Sequence, residues 1–314
     1  MNSTRSKYYR NRNEELQRRR DTNWRDLNII EYGKKSYLDV SKGVECVKQM
    51  IGDNQPFLIG RLGETEARTV YSFQYLWYKP RTVRGCAHDL CNNAGFFPNK
   101  TLAIKRFCRL YVDSIRETDY LGMCLWAPEE LFVDNYAESM KGCFSSGVLD
   151  ILLLDDPWTS ALEGKRVLVI SPFSESIMHQ YERRELIFPD KPEYLPRFDL
   201  NVLKAIQSVG GKGAIGYKDW FDAFEYMKRQ IEEIEFDIAL LGCGAYGMPL
   251  AAFIKSIGKQ AIYMGGCLQL MFGIIGKRWE NREYVKKYVN EYWVRPSESE
   301  RPSELQNVEG GCYW

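Results

Sequence analysis

Short apolar segments alternate with helix-forming segments along most of the chain, and this alternation constrains the fold more than any other feature. Three of the apolar segments lie in the second half of the chain, at Arg166–Ser171, Asp237–Gly242 and Gln260–Met264, and a fourth, Pro56–Gly60, lies in the first half. Segments this short and this apolar are typical of strands that are buried on both faces of a sheet. The pattern predicts an α/β, Rossmann-like fold whose mainly parallel sheet has helices on both faces.

Apolar residues at helical spacing, together with residues that start helices, fill the connections between these strands. Leu121–Trp126 is a further predicted strand, and Phe198–Ser208 fits either a strand or a helix. The predicted helices cover 37–51, a segment from 64 onward, 101–116, 129–160 with irregular joins, 174–188, 219–235, 246–257 and 282–292.

The length of 314 residues and the 45% content of hydrophobic residues are sufficient for one large α/β domain. Residues 1–35 are polar and basic, and we interpret them as an N-terminal appendage. Residues 36–295 form the predicted catalytic domain. Two prolines, Pro296 and Pro302, indicate a loose C-terminal tail over 296–314.

The overall charge is balanced, with 43 Lys and Arg against 42 Asp and Glu, which argues against nucleic acid as a partner. The first twenty residues are an exception: they are strongly basic and fit either a solvated helix or contact with an anionic membrane or glycan. Nine scattered cysteines without a CxxC pair favour free thiols in a reducing compartment. With no signal peptide and no apolar run of about eighteen residues, we predict a cytoplasmic protein, or one at the cytoplasmic face of a membrane.

Ligands of parallel sheets bind beyond the carboxyl ends of the strands, which directs attention to the turns that follow them. Four turns meet this condition: Arg61–Glu66, Ser171–Glu175, Gly242–Tyr246 and Gly265–Gln269. Each combines small residues with polar ones, and the first three lie at predicted starts of helices. They are the candidate binding site.

The first turn, Gly60-Arg-Leu-Gly-Glu-Thr-Glu66, offers both a cation and two carboxylates. Arg61 suits a phosphate group, and Gly63 gives room for close backbone approach. Glu64 and Glu66 together suit a hard divalent cation such as Mg²⁺ or Mn²⁺. The alternative is a helix start in which the dipole favours acidic residues.

The third turn, Gly242-Cys-Gly-Ala-Tyr-Gly247, follows a strand, opens a helix and matches the GxGxxG pattern. Gly242, Gly244 and Tyr246 are therefore candidate donor-binding residues, although the same glycines also suit a tight turn without a ligand. The next strand ends in Met264-Gly265, where a dehydrogenase commonly has an acidic residue that binds the ribose. This difference argues against a dehydrogenase.

The fourth turn contains Gly265 and Gly266, and a basic pair, Lys277 and Arg278, follows shortly after. The glycines would permit close approach of a ligand, and the basic side chains would bind phosphate. A tight turn followed by a solvated basic pair explains the same residues without a ligand.

The second turn provides the candidate general base. Glu175 lies one residue after Ser174, a plausible N-cap, so it falls in the first turn of the predicted helix. We predict that Glu175 deprotonates the acceptor hydroxyl, with Asp219, which precedes another helix, as the second candidate. Simple helix capping explains the residues of this second turn without a ligand.

Taken together, these turns resemble a known family. Arg61-Leu-Gly-Glu-Thr-Glu66 is similar to the RxGDxE signature of GT-D type glycosyltransferases. Other segments resemble a GT-D-like branch of this family, which is found in surface-polysaccharide gene clusters and in some large viruses. The segments that carry this resemblance are Asn92–Pro98, Pro157–Trp158, Gly164–Phe173, Gln180–Tyr181, Asp237–Trp279 and Glu309–Trp314.

The resemblance implies a nucleotide-sugar donor, with a UDP-sugar favoured, and transfer of the sugar to a hydroxyl of a glycan or other acceptor. It also implies Mn²⁺ or Mg²⁺ held partly by Glu66. The family has Asp where this chain has Glu64. Two alternatives remain: another Rossmann-type enzyme, an oxidoreductase or methyltransferase, and a non-catalytic nucleotide-sugar-binding subunit. Convergence of Glu64, Glu66 and Glu175 on one pocket would favour catalysis.

Overall fold

A nine-stranded sheet forms the centre of the molecule. The computed structural model describes residues 29–126, 129–208, 213–302 and 311–314, with scattered positions between 7 and 18. The strand order is β1-β2-β5-β4-β3-β9-β8-β6-β7, and every neighbouring pair is parallel except β1 and β2. The strands are β1 Glu31–Tyr32, β2 Lys35–Leu38, β3 Phe57–Arg61, β4 Tyr120–Met123, β5 Gly142–Ser145, β6 Arg166–Ser171, β7 Asp199–Lys204, β8 Ile238–Leu241 and β9 Gln260–Tyr263.

Helices connect most of these strands, as parallel pairing requires. Short 3₁₀ turns supplement them, mainly over residues 146–162. The described helices are α1 Val40–Gly52, α2 Glu64–Tyr75, α3 Pro80–Asn93, α4 Thr101–Arg116, α5 Glu129–Tyr136, α6 Ser174–Glu182, α7 Arg184–Ile187, α8 Trp220–Glu232, α9 Gly247–Ser256, α10 Leu268–Met271 and α11 Glu283–Lys286.

Both faces of the sheet are buried, as the apolar strand sequences predict. Along β6, Leu168 and Ile170 join one hydrophobic core, whereas Val167 and Val169 join a second core on the opposite face. Helices α2, α3, α4, α8 and α9 contribute to the first core, and α1, α6, α7, α10 and α11 contribute to the second. The predicted α/β fold, with a mainly parallel sheet and helices on both faces, is confirmed.

Two predicted helical segments contain strands instead. Residues 142–145 form β5, where Cys143 and Phe144 are fully buried and pair with β4 on one side and β2 on the other. Tyr37, predicted at the start of a helix, lies in β2, and α1 begins only at Val40. Both strands are four residues long, which is too short for the alternation of side chains to be distinguished from one turn of a helix.

Two other predicted helices are shorter than expected. The helix predicted over 174–188 is interrupted at Arg183 and divides into α6 and α7. That predicted over 282–292 is limited to the single turn Glu283–Lys286. The segment that could be either a strand or a helix contains the edge strand β7.

The described parts of the predicted appendage and of the predicted tail both pack against the domain. β1, which falls within residues 1–35, pairs with β2 at the edge of the sheet. Arg12 Nε donates to the Glu130 carboxylate at 2.7 Å. Much of the basic segment, for which a solvated helix and contact with an anionic membrane or glycan were both left open, lies outside the described residues. Trp314 is only 5% exposed. No helix in the described part of the chain is long and apolar enough to cross a membrane.

Candidate functional site

A cleft of about 350 Å³ opens at the carboxyl edge of the sheet. Its lining includes residues that follow β3, β6, β7, β8 and β9. All four turns selected from the sequence contribute to it. The volume lies within the range of small-molecule sites, and the position is the one at which parallel α/β sheets bind their ligands.

Arg61, the last residue of β3, lines this cleft. The residue is largely buried, and its Nη2 donates to the Cys124 sulfur at 3.5 Å. No Asp or Glu in the described part of the chain forms an ion pair with it. An arginine stays charged at all physiological pH values, so the cleft contains a cation without a carboxylate partner. Such a group is suited to bind an anionic ligand.

Glu66 lies in the first turn of α2 and is 5% exposed. Its carboxyl group folds back over Gly63, so close that a side chain at Gly63 would collide with it. Burial, and then the nearby Glu66, raise the pKa of the Tyr111 and Tyr263 hydroxyls. Glu66 is therefore an acidic group at the inner end of the cleft, surrounded by phenol rings.

Glu64 also lines the cleft, but it is exposed and interacts with Arg68 at 3.8 Å. The two carboxylates of the predicted metal motif thus have different environments. Among the described residues, no three His, Cys, Asp or Glu side chains form a group that could hold a metal ion. Mg²⁺ sites commonly use one or two carboxylates and complete their coordination with substrate phosphates and water. The acidic turn fits that kind of site and not one assembled by the protein alone.

The glycines of the third and fourth turns lie against other atoms of the protein, which occupy the space that a side chain would need. An ideal Cβ at Gly244 would lie 2.8 Å from the Ala94 carbonyl oxygen, and one at Gly265 would lie 2.6 Å from Arg61 Nη1. Both residues have positive φ, +57° and +71°. The GxGxxG turn therefore packs against the loop that follows α3, and Gly265 creates the space that the Arg61 guanidinium occupies.

The other predicted glycines have similar neighbours. A Cβ at Gly242 would lie 2.8 Å from the Gly265 carbonyl oxygen, and one at Gly266 would lie 2.6 Å from the Tyr313 ring. Tyr246 also lines the cleft, but it is 1% exposed and stacks on Trp220 with ring centroids 4.7 Å apart. These residues shape the walls of the cleft through packing.

The C-terminal residues form one rim of the cleft. Arg278 lines it and donates from Nη1 to the Tyr313 hydroxyl at 2.7 Å, and Tyr313 and Trp314 are lining residues too. Lys277, predicted to bind the donor, is exposed and is not among the lining residues. Its backbone N–H donates to the Trp314 carbonyl at 3.3 Å. The basic pair is thus divided: Arg278 faces the cleft, and Lys277 contributes to it only by anchoring the rim.

Glu300 occupies the N-terminus of α6, where the sequence predicts a ligand-binding turn. It is 1% exposed and accepts from the backbone N–H groups of Glu175 at 2.8 Å and Ser176 at 3.3 Å, and from the Ser176 hydroxyl. A carboxylate from the tail thus satisfies the free donors that begin this helix. The tail is fixed here, in contrast to the loose segment that its prolines indicate.

Neither predicted base lies in the cleft lining. The Glu175 side chain accepts from the Ser299 hydroxyl and lies 3.9 Å from Lys204 Nζ. Asp219 caps α8 and accepts from the Asp222 N–H at 3.0 Å. Glu175 thus contacts the tail and the end of β7, and Asp219 caps its own helix, so neither side chain is placed to act as a base in the cleft. Glu64, Glu66 and Glu175 do not converge.

We expect Glu300→Ala to lower the free energy of unfolding by about 2 kcal/mol, because it leaves several buried donors without an acceptor. Urea denaturation measures the change. Glu298→Ala is the matched control: the Glu298 side chain is 84% exposed and pairs with Arg301, so its removal should change stability by less than about 0.5 kcal/mol. Equal effects of the two substitutions would mean that Glu300 does not anchor the tail.

The end of α3 and the loop after β7 also line the cleft, although the sequence motifs do not indicate a role for either segment. Asp89, Asn92 and Asn93 line the cleft from α3, and residues 205–208 line it from the loop. The Asn-Asn-Ala-Gly run that ends α3 is a signal in the sequence, since such residues suit polar contacts at a helix end. Its position beside the cleft depends on how α2 and α3 pack, which the local sequence does not determine.

Asp150 lies behind Arg61, further from the cleft. Burial raises its pKa from 3.8 to about 6, while the Tyr284 hydroxyl, which donates to Oδ2 at 3.0 Å, and Arg61 act in the opposite direction. Asp150 and Arg61 thus attract each other electrostatically, but they are too far apart to form an ion pair.

The chain was compared with curated proteins, with solved structures and with models of protein families. A comparison with curated proteins finds no match. A solved structure titled "Selenomethionine substituted structure of domain of unknown function 1792 (DUF1792)" is similar with 13% identity and a TM-score of 0.42, covering 94% of this chain and 97% of that one. The model of the GT-D fold-like domain matches residues 38–271, which include every strand from β3 to β9 and most of the cleft. The chain therefore belongs to the GT-D-like family.

Proposed function

We propose that this chain is a glycosyltransferase that moves a sugar from a nucleotide-sugar donor to a hydroxyl group of a glycan or other acceptor. The observation that carries the proposal is the Arg61 guanidinium: it lines the cleft at the carboxyl edge of the sheet and has no ion-pair partner among the described residues. Membership of the GT-D-like family supports a transferase over other uses of the same fold.

In this proposal the donor diphosphate binds at Arg61, with Arg278 at the rim as a second cation. A charged guanidinium stabilises the diphosphate in the bound donor, and it stabilises the additional negative charge that forms as the sugar leaves. A UDP-sugar is the first donor to test. Gly242, Gly244 and Gly265 line the cleft, and each packs so closely against protein atoms that a side chain there would collide with them.

A divalent cation, Mn²⁺ or Mg²⁺, is part of the proposal. Glu66 is the carboxyl group that would hold it, with Glu64 at the outer edge of the same turn. The cation would supply positive charge to the leaving diphosphate. Glu64 is exposed beside Arg68, and the described residues offer no third ligand nearby. We therefore expect the cation to bind together with the donor and only weakly without it.

Asp89 replaces Glu175 and Asp219 as the candidate acceptor base. It lines the cleft near the end of α3, and its side chain is 44% exposed. A partly solvated carboxylate beside the donor site is accessible to an incoming hydroxyl and can accept its proton. Glu66 is less suitable, since it is buried and is proposed to hold the cation.

One binding experiment also tests the two alternative functions, another Rossmann-type enzyme and a non-catalytic binding subunit. Thermal-shift measurements with UDP-sugars, NAD(P) and S-adenosylmethionine, each with and without Mn²⁺, distinguish a transferase from an oxidoreductase or methyltransferase. We expect stabilisation by UDP-sugars and a further increase with Mn²⁺. Binding of UDP-sugars without any turnover, over a broad panel of acceptors, would favour a non-catalytic nucleotide-sugar-binding subunit instead.

We expect Glu66→Gln to reduce donor cleavage or transfer by about a hundredfold or more and to remove its dependence on Mn²⁺, while the fold is retained. The substitution preserves the side-chain volume at this buried position and removes the carboxylate. Glu64→Gln, in the same turn but exposed, is the matched control and should reduce activity much less. Activity of Glu66→Gln that still responds fully to Mn²⁺ would exclude Glu66 as the metal ligand.

A further inference from the structure

Helices α2 and α3 form a hairpin that projects away from the cleft. The first turn of α2 and the last turn of α3 both line the cleft, so the two helices run in opposite directions. The turn between them, residues 76–79, lies at the far end. The twelve residues of α2 correspond to a length of about 18 Å, so this turn lies roughly 20 Å from the cleft.

Two large aromatic side chains are exposed at this far end. Trp77 is 75% exposed and Tyr78 is 59% exposed. Their rings lie at 89° to one another with centroids 6.1 Å apart. The other exposed large apolar side chains of the described chain are single residues, whereas these two are adjacent in one turn.

The same turn is surrounded by positive charge. Lys79, Arg81 and Arg84 are all exposed, and none forms an ion pair with a described Asp or Glu. The chain contains no Asp or Glu between Glu66 and Asp89. Lys79 Nζ lies 5.6 Å from the centre of the Tyr78 ring. We call Trp77, Tyr78, Lys79, Arg81 and Arg84 the hairpin tip.

We propose that the hairpin tip binds the surface of a membrane that contains anionic lipid. Trp and Tyr are the residues that partition to the boundary between headgroups and acyl chains, and each basic residue near an anionic surface adds favourable electrostatic energy. The tip combines both features at the far end of the hairpin, where all five side chains are exposed. The proposal does not depend on the reaction in the cleft.

An acceptor glycan would be the other occupant of exposed aromatic rings, but the tip is poorly suited to it. Two perpendicular rings do not form a continuous platform for sugars to stack on. Carboxylates that would accept hydrogen bonds from sugar hydroxyls are absent from the segment between Glu66 and Asp89. An anionic lipid surface requires neither feature and instead uses the unpaired cations.

Cosedimentation of the full chain with vesicles tests the proposal. We expect binding to vesicles of phosphatidylcholine with phosphatidylserine, and little binding to phosphatidylcholine alone. Trp77→Ala with Tyr78→Ala, and separately Lys79→Glu with Arg81→Glu and Arg84→Glu, should each weaken binding; the charge reversal should weaken it on the order of a hundredfold. Circular dichroism and thermal melting check that both variants stay folded.

Arg282→Glu with Lys286→Glu and Lys287→Glu is the control, because it changes the net charge equally at another exposed cluster. It should retain most of the vesicle binding. Equal loss in this control, or full binding by both hairpin-tip variants, would overturn the proposal. It would also be overturned if the wild-type chain bound oligosaccharide through Trp77 and Tyr78 but did not bind anionic vesicles.

Discussion

Arg61→Met should reduce the affinity for a UDP-sugar by about a hundredfold or more, as measured by calorimetric titration. The substitution removes the charge and the paired donors that bind phosphate, but it keeps an extended side chain in a largely buried position. Stability should change by less than about 1 kcal/mol, because no described carboxylate loses an ion-pair partner. Loss of binding without loss of stability is the signature expected of a ligand-binding cation.

Arg116→Met provides the control for this experiment. Arg116 ends α4, is exposed and pairs with Asp113, so its removal should alter neither affinity nor stability appreciably. Affinity of Arg61→Met within about threefold of wild type would show that Arg61 is a structural residue of β3. A large loss of stability would instead indicate that its distant balance with Asp150 is essential for folding.

Gly244→Ala should lower the free energy of unfolding by about 3 kcal/mol. The residue has φ +57°, which costs a side chain about 1 kcal/mol, and its new Cβ would lie 2.8 Å from the Ala94 carbonyl oxygen. Because the obstructing atom belongs to the backbone, the Ala94 loop has to move, and overpacking of this kind costs a further 1–3 kcal/mol or so. Urea denaturation measures the loss.

Gly258→Ala separates the two contributions. Gly258 has φ +80°, and no heavy atom lies within 4 Å of the position of its Cβ, so only the backbone cost applies and the loss should be about 1 kcal/mol. Equal losses at the two positions would mean that the contact with Ala94 contributes nothing. Unchanged stability of Gly244→Ala, with weaker donor binding, would restore the interpretation that Gly244 contacts the ligand.

The sequence predicts the fold well where strands are fully apolar and helices are long. The strands around Leu168 and Leu240 are apolar on both faces, so they are suited only to the buried centre of a sheet. Predictions failed at β5 and at Tyr37, where a strand of four residues depends for its identity on pairing with distant segments. A local pattern contains no information about those partners.

The sequence also indicates which edge of the sheet forms the cleft, because parallel strands bring the turns that follow them together. It could not assign the contacts within that edge. The Glu300 carboxylate binds Ser176 at the start of α6 although the two residues are 124 positions apart in sequence. Glu175, the neighbour of Ser176, does not line the cleft. Asp89 reaches the cleft only through the packing of α3. Both outcomes depend on long-range contacts that a motif does not encode.

The most direct test of the proposed function is to incubate the chain with UDP-sugars and Mn²⁺ and to measure the released UDP by mass spectrometry. We predict that the wild-type chain releases UDP from at least one sugar donor, and that a suitable hydroxyl acceptor accelerates the release and gains the sugar. Arg61→Met and Glu66→Gln should release UDP at the background rate. Stabilisation of the chain by NAD(P) or S-adenosylmethionine, with neither binding nor cleavage of any nucleotide-sugar, would contradict the proposed function.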